Sequence, residues 1–221
     1  MDLWNATSNF ENVCNLLNDP TKRMHEIAIT LFSPCRPMLG DKAKPNNIQN
    51  LMGGSEFYIE TKYDGERFQL HKSLNKYSYF SRNSNDYTES FGSSNSNGIY
   101  TQYIHDCFLD DVNSVILDGE MCVYSNDDKI LLTKSDSYDV KSMDRRTFET
   151  DVQVCFCVFD ILLYNDEVLT NKPLKKRLEY LNKTFEEREG RLIISPRQTC
   201  KTNQEAIDAL NKAIDARLGK I

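Results

Sequence analysis

The stretch Glu60-Thr61-Lys62-Tyr63-Asp64-Gly65-Glu66-Arg67 joins two apolar runs that favour β-strands. Because side chains alternate along a strand, Glu60 and Lys62 are predicted to share one face. The Asp64-Gly65 pair that follows favours a tight turn. Two interpretations stay open at this point. The stretch is either a β-hairpin with a charged edge, or it holds a lysine amine beside a carboxylate as a covalent nucleophile toward phosphorus.

Length and composition restrict the class of protein. The 221 residues fit one large domain, or one domain with an extension, and can bury a core without a metal or a disulfide. Charged residues make up 27% and hydrophobic residues 39%, which is typical of a globular protein. No apolar run is long enough to span a bilayer, so no membrane partner is predicted. The net charge of −6 argues against a dedicated nucleic-acid clamp but allows a local basic groove.

The seven cysteines are interpreted as structural thiols. They are odd in number and show no spacing typical of a metal site. Cys155 and Cys157 alternate along a predicted strand and therefore share a face. Thiols in this number favour a reducing compartment, the cytosol or the nucleus.

A second informative segment is the predicted strand over residues 115–124. Asp118 and Glu120 share one face of it, among otherwise apolar residues. Carboxylates in such a strand are costly unless they bind a partner, and hard cations prefer carboxylate oxygens. Glu120 is therefore a candidate ligand for a metal ion or a ribose. The alternative is a half-solvated sheet face, on which carboxylates need no ligand.

Hydrophobic periodicity predicts mixed helices and strands along the rest of the chain. Helices are predicted over residues 8–17, 100–108, 172–185 and 202–214, the last with Thr202 and Glu205 as a capping box. Strands are predicted over residues 27–31, 76–81, 130–133, 151–163 and 191–195, with loops over 40–55 and 81–98. On pattern alone, Phe159 is a core residue because it shares a strand face with Cys155 and Cys157.

Together with three other segments, the octet from Glu60 to Arg67 resembles the adenylation motif of ATP-dependent DNA ligases, within the covalent nucleotidyltransferase superfamily. Leu117-Asp118-Gly119-Glu120-Met121 and Cys157-Val158-Phe159-Asp160-Ile161 resemble two further motifs, in the family's order and approximate spacing. Phe80-Ser81-Arg82-Asn83 resembles the element between the first two. Several other segments are similar to the end-joining branch of the family. The resemblance covers nearly the whole chain.

The resemblance implies a role for each matching residue. Lys62 would attack the α-phosphorus of ATP, release pyrophosphate and hold AMP as a phosphoramidate. Glu60 would read the adenine amino group, and Phe159 would stack on adenine, which replaces its interpretation as a core residue. Glu120 would bind Mg²⁺ or the ribose, and Arg82 would hold the 5′-phosphate of a DNA break. The implied nucleotide-binding residues are Glu60, Thr61, Lys62, Tyr63, Arg67, Glu120, Lys134 and Phe159.

The resemblance also implies a fold and a cellular context. The expected fold is α+β, a nucleotidyltransferase (ATP-grasp-like) adenylation domain with antiparallel sheets and flanking helices. Residues 1–38 would be the tail of a helical DNA-binding region and residues 39–221 the adenylation domain. The implied activity is the sealing of DNA breaks in non-homologous end joining, in the nucleus. ATP and Mg²⁺ would be the cofactors, nicked or broken double-stranded DNA the substrate, and a coiled-coil end-joining scaffold protein the partner.

Departures from the family's pattern leave alternatives open. The sequence ends Arg217-Leu218-Gly219-Lys220-Ile221, where the family has a Glu-Gly motif followed by a lysine-bearing motif that grips the ATP phosphates. We therefore expect a C-terminally incomplete domain that binds ATP weakly, does not seal nicks alone and lacks the scaffold-binding repeats. The alternatives are an RNA-capping guanylyltransferase or RNA ligase, which share the lysine motif, and a catalytically incomplete nucleotide- or DNA-binding module.

Overall fold

A computed structural model describes residues 10–18, 29–133, 140 and 151–215 of the chain. The chain forms two compact units, Met1–Pro37 with Gly65–Ile194, and Met38–Asp64 with Ser195–Ile221. We call these the first and the second unit. The octet around Lys62 passes from the second unit into the first between Asp64 and Gly65. The division of the sequence into a DNA-binding tail, 1–38, and an adenylation domain, 39–221, stays a prediction.

Within the described residues the elements are short helices and longer strands. The strands are β1 Phe57–Glu60, β2 Glu66–Ser73, β3 Lys76–Ser81, β4 Ser114–Ser125, β5 Ile130–Leu132, β6 Val152–Tyr164, β7 Glu167–Val168, β8 Leu192–Ile194 and β9 Arg197–Cys200. The α-helices are α1 Phe10–Asn18, α2 Ile48–Leu51, α3 Thr88–Phe91, α4 Thr101–Ile104, α5 Leu174–Leu181 and α6 Asn203–Asp215. Single 3-10 turns cover Pro45–Asn47 and His105–Cys107. The predicted α+β class is confirmed.

The first unit is built on a seven-stranded sheet. Its strand order is β3-β2-β4-β6-β7, with β5 paired to β4 and β8 paired to β6. All neighbours are antiparallel except β6 and β8, which are parallel. The strands predicted over 76–81, 115–124, 130–133, 151–163 and 191–195 all lie in this sheet. Their apolar, aromatic and β-branched residues predict these strands without tertiary information.

The strand predicted over residues 27–31 is wrong where the structure describes it. Thr30 and Ser33 close a turn, in which the Ser33 N–H donates to the Thr30 carbonyl oxygen at 3.1 Å. The Gln69 side chain then binds the backbone of Cys35, accepting from its N–H at 3.1 Å and donating to its carbonyl at 2.7 Å. This segment therefore docks on β2 through side chains and not through a strand ladder.

Helix α3 lies inside the segment predicted as an exposed loop, residues 81–98. Its Phe91 is buried and meets the buried ring of Phe68 edge-on, with ring centroids 5.2 Å apart. Aromatic packing thus orders a polar, Ser- and Asn-rich segment that composition alone assigns to a loop.

The helix predicted over 172–185 ends at Leu181 in the structure. Phe185 lies beyond its end and forms a bridge with Phe108.

Strand β4 is buried on both of its faces. Every residue of β4 is buried except Glu120, which is half-buried. The interpretation of this strand as a half-solvated sheet face is therefore wrong. β4 lies between β2 and β6 in the sheet, and residues on both faces are covered. The carboxylate of Asp118 on this strand accordingly needs a partner within the protein.

The second unit is a two-stranded antiparallel sheet of β1 and β9 with two helices. β1 pairs with β9, not with β2, so the β-hairpin interpretation of the octet is wrong. The buried core consists of Phe57, Cys200 and Ala206, with Ile48 and Ile59 packed against it. The loop predicted over 40–55 contains α2, although its sequence is rich in turn residues.

Helix α6 begins with the capping box that its sequence predicts. The Glu205 N–H donates to Thr202 Oγ1 at 3.2 Å, and the Thr202 N–H donates to Glu205 Oε2 at 3.0 Å. Asn203, the first helical residue, binds the backbone of the 45–51 segment, accepting from the Gln49 N–H and donating to the Asn46 carbonyl, each at 2.8 Å.

No helix of the described residues is long and apolar enough to cross a membrane.

Candidate active site

The second unit supplies the predicted nucleophile and the carboxylate before it. Glu60 is the last residue of β1, and Arg197 lies opposite it in β9. Arg197 Nε donates a hydrogen bond to Glu60 Oε1, and the two side chains are only 11% and 29% exposed. Thr61 and Tyr63 are half-buried, whereas Lys62 is exposed. Lys62 therefore holds an accessible amine two residues after an anchored carboxylate.

Arg67 is the centre of a charged cluster in the first unit. Its Nε and Nη2 donate to the two carboxylate oxygens of Asp118 at 3.0 and 2.7 Å. Burial alone would lower the pKa of Arg67, but the hydrogen bonds and charge of Asp118 outweigh it and raise that pKa. Burial raises the pKa of Asp118, and the Arg67 guanidinium opposes this shift. The bidentate contact is typical of an ionised carboxylate and fixes the plane of the guanidinium.

Glu120 belongs to the same cluster. It lies opposite Arg67 in the pairing of β2 with β4, and opposite Cys157 in the pairing of β4 with β6. Its negative charge contributes to the raised pKa of Arg67. As the half-buried member of an otherwise buried strand, Glu120 is the β4 carboxylate that can reach a ligand.

Phe159 lies at a β-bulge in β6. Asp118 pairs with Asp160 and Gly119 pairs with Val158, so the register leaves Phe159 as the extra residue. A bulge re-aims the side chain of the extra residue. The ring is half-buried, and the Arg67 Cζ atom lies 5.1 Å from its centroid. The core assignment made from strand alternation is therefore wrong, because the ring is half-buried beside a charged guanidinium and not enclosed by apolar residues.

Arg82 and Lys134 complete the predicted set. Arg82 follows β3, is exposed, and its backbone N–H donates to the carbonyl oxygen of Arg67 at 3.1 Å. Lys134 lies outside the described residues. Within the first unit the structure thus brings together Arg67, Glu120 and Phe159, and places the backbone of Arg82 beside that of Arg67. Within the second unit it places Glu60, Thr61, Lys62 and Tyr63 in one continuous segment.

Gly65 allows a close approach of backbones at the start of the first unit. A Cβ atom at this position would lie 2.3 Å from the carbonyl oxygen of Met121 and 2.9 Å from Cys122 Sγ. No side chain fits in that space. The glycine of the octet therefore has a packing role beside β4, in addition to the turn role that the sequence predicts.

Sequence reasoning missed the partners that hold these residues. Arg197 was not predicted because it follows Glu60 by 137 residues and lies in a polar strand that has no apolar pattern. The sequence places Asp118 next to Glu120 but does not predict its bidentate pair with Arg67. Arg177 lies in a predicted helix, and its two hydrogen bonds to Asp160, at 2.7 and 2.8 Å, have no signal in the local sequence.

The residues of the first unit fit a nucleotide with one Mg²⁺ ion. Among the described residues, no group of three or more His, Cys, Asp or Glu could hold a metal by itself. Asp118 and Asp160 are each paired with an arginine. Glu120 is the half-buried carboxylate of β4 and lies opposite Arg67, where a cation bound to a nucleotide phosphate could reach it. Mg²⁺ in nucleotide sites commonly uses one or two carboxylates, together with substrate phosphates and water. A half-buried aromatic ring beside a guanidinium is also suited to stacking with a base.

Comparison with known proteins identifies relatives for this arrangement. The profile of a family described as "ATP dependent DNA ligase domain" matches residues 37–219. The chain is 42% identical to DNA ligase 4 of Gallus gallus over 216 residues, 98% of this chain and 23% of the relative. It is 43% identical to DNA ligase 4 of Homo sapiens over the same fractions, 98% and 23%. The chain thus spans about a quarter of the length of these relatives, and the resemblance to ATP-dependent DNA ligases is confirmed.

A solved structure also shares the fold. The structure named "Pmar-Lig_Pre." matches with a TM-score of 0.50 and 15% identity, covering 86% of this chain and 41% of that chain. At this identity the likeness concerns the arrangement of strands and helices only. It agrees with the α+β architecture of antiparallel sheets and flanking helices.

Proposed function

Because this chain belongs to the family of ATP-dependent DNA ligase domains, we propose that it carries the adenylation step of DNA ligation, with Lys62 as the nucleophile. The observation that carries the proposal is the convergence of Arg67, Glu120 and Phe159 in the first unit. These residues come from three different strands, β2, β4 and β6. A guanidinium, a half-buried carboxylate and an accessible ring are the groups that a nucleotide needs for its phosphate, its cation and its base.

The proposed reaction makes and breaks one bond at phosphorus. The neutral amine of Lys62 attacks the α-phosphorus of ATP, and an Nζ–P bond forms. The bond between that phosphorus and the bridging oxygen to the β-phosphate breaks, and pyrophosphate leaves with the electron pair. The amine loses one proton to a base in the same step. Lys62 is exposed, so its amine is accessible to a nucleotide from solvent.

The other residues of the predicted set have proposed roles in binding and orientation. Glu60 accepts a hydrogen bond from the adenine amino group, and Phe159 stacks on the adenine ring. Thr61 and Tyr63 contribute backbone groups beside the base. Arg67 contacts the ribose and phosphate side, and Arg82 binds the 5′-phosphate of a DNA end. Lys134 is a further proposed nucleotide contact.

Mg²⁺ is the proposed metal, with Glu120 as its protein ligand. When bound, it would neutralise phosphate charge at the reacting phosphorus. Positioning and charge neutralisation supply most of the catalysis in phosphoryl transfer. The half-buried position of Glu120, opposite Arg67, supports this assignment.

The wider function is proposed from the similarity to DNA ligase 4. The substrate would be nicked or broken double-stranded DNA, and the process non-homologous end joining in the nucleus. A coiled-coil end-joining scaffold protein would be the partner. A nucleotide- or DNA-binding module without catalytic activity is the competing function for this chain.

The experiment is covalent labelling with α-labelled ATP and Mg²⁺. We expect acid-labile, alkali-stable label on the denatured chain, absent from Lys62→Ala and retained by Lys42→Ala, which removes another exposed lysine of the second unit. Labelling of Lys62→Ala would contradict the assignment of the nucleophile. Label from GTP in place of ATP would indicate a capping enzyme. Binding of ATP without label would favour the binding module.

A further inference from the structure

The far end of the β1–β9 ladder contains a charged pair, and the roles proposed above include its carboxylate but not its arginine. Glu60 and Arg197 are opposite residues at the last position of the register. Opposite residues of antiparallel strands project from the same face. Phe57 and Ile59 alternate with Glu60 and pack toward the core of the second unit, so the pair lies on the other face. Lys62 follows Glu60 by two residues in the sequence.

Arg197 is held more firmly than an ordinary surface arginine. Its side chain is 11% exposed, and its strand ends at the buried Cys200, directly before the capping box of α6. Its Nε donates to Glu60 Oε1. Because a guanidinium is planar and always charged, it fixes the orientation of the carboxylate that it binds. An ammonium group or a neutral side chain at this position would do so less completely.

We propose that Arg197 is the positioning residue for nucleobase selection, because it holds the Glu60 carboxylate as a fixed acceptor. An ionised carboxylate accepts hydrogen bonds and donates none. Adenine carries an amino donor at position 6, whereas guanine carries a carbonyl acceptor there. Arg197 thereby selects adenine nucleotides over guanine nucleotides without touching either. This inference rests on the proposed role of Glu60 in nucleotide binding.

The test compares nucleotide binding and labelling in matched variants of the 221-residue chain. Arg197→Met removes the charge and keeps the length of the side chain, and Arg197→Lys restores the charge without the planar fork. Lys201→Met is the control, because Lys201 pairs with Glu56 at the opposite end of the same ladder, at 3.2 Å and with both side chains mostly exposed. Binding of ATP and GTP is measured by calorimetry, and labelling by ATP is measured as a function of ATP concentration.

For Arg197→Met we expect about a tenfold or greater rise in the ATP dissociation constant, since a charge-assisted hydrogen bond no longer holds the acceptor. The half-saturating ATP concentration for labelling should rise in parallel, while the rate at saturating ATP changes little. The preference for ATP over GTP should fall, Arg197→Lys should be intermediate, and Lys201→Met should match the unmodified chain.

A double-mutant cycle keeps the inference testable if Arg197→Met is less stable. In a Glu60→Gln background, Arg197→Met should have no further effect on the ATP:GTP preference, because the carboxylate that it orients is gone. Independent, multiplicative effects would overturn the inference, as would an unchanged preference in Arg197→Met. If the unmodified chain binds neither nucleotide, the proposed function fails together with the inference. If it binds and labels but Arg197→Met behaves normally, the inference alone fails.

Discussion

Replacement of Arg67 by methionine is expected to destabilise the protein more than replacement of Asp118 by asparagine, although both break the same ion pair. The Asp118 side chain is 4% exposed, whereas that of Arg67 is 23% exposed. Arg67→Met leaves a buried carboxylate without its partner, which costs about 3–5 kcal/mol. Asp118→Asn keeps the shape of the side chain and one acceptor oxygen, and it leaves a guanidinium that reaches water. We therefore expect a smaller loss of unfolding free energy, about 1.5–3 kcal/mol.

The double variant distinguishes the loss of the ion pair from the cost of leaving a buried charge unpaired. Arg67→Met with Asp118→Asn should be more stable than Arg67→Met alone, because no buried charge is left. Burial raises the pKa of Asp118, and in Arg67→Met the opposing guanidinium is absent. Protonation of that carboxyl therefore favours the folded state, so the deficit of Arg67→Met should shrink as the pH falls below neutrality.

The assay is urea unfolding monitored by far-UV circular dichroism. The dependence of the unfolding free energy on urea concentration is compared among the variants. Asp106→Asn is the control, because its pair with Arg188 is 67% and 43% exposed and is worth about 0–1 kcal/mol. The reasoning is refuted if Asp118→Asn costs as much as Arg67→Met, or if the two changes are additive. Losses no larger than that of Asp106→Asn would refute it as well.

Three further predictions concern single positions. Burial lowers the pKa of His71 to about 3, so the stability that its neutral form contributes is complete above pH 6.5 and declines as the pH falls toward 3. The loss of unfolding free energy between about pH 7 and pH 5, measured by urea unfolding, should therefore be smaller in His71→Gln than in the unmodified chain. The difference should be up to about 1.4 kcal/mol per pH unit. Phe159→Leu should weaken ATP binding about tenfold in calorimetry, with Phe159→Tyr close to unmodified, and equal binding by both would exclude stacking on this ring. Gly65→Ala should lower the free energy of unfolding by about 1–3 kcal/mol, because its Cβ would overlap the Met121 carbonyl oxygen, while Gly40→Ala, whose Cβ meets nothing within 4 Å, should be neutral.

Local patterns predicted much of the sheet and of the residue set. β3, β4, β6 and β8 are recognisable because apolar and β-branched residues recur over several positions. The capping box of α6 is a contact over three residues, so its sequence specifies it directly. The chemical character of the candidate site also follows from short motifs, since Lys62, Glu120 and Phe159 each stand within one.

Contacts between distant segments could not be predicted in the same way. The octet looked like a hairpin because its turn residues are next to each other, but β1 pairs with a strand more than a hundred residues away. Residues 29–31 alternate like a strand, yet side chains of β2 bind the following backbone instead. The bulge at Phe159 cannot be predicted from the residues of β6, because it is a shift in the pairing of β6 with β4.

The amino-acid sequence by itself determined which chemical groups are present and which strands and helices can form, since propensity, periodicity and capping act over a few residues. The tertiary structure alone decided how those groups are held. It buried Asp118 against Arg67, left Phe159 half-buried beside the same arginine and placed Arg197 beside Glu60. These arrangements depend on desolvation and on strand register, which are properties of segments brought together only when the chain folds.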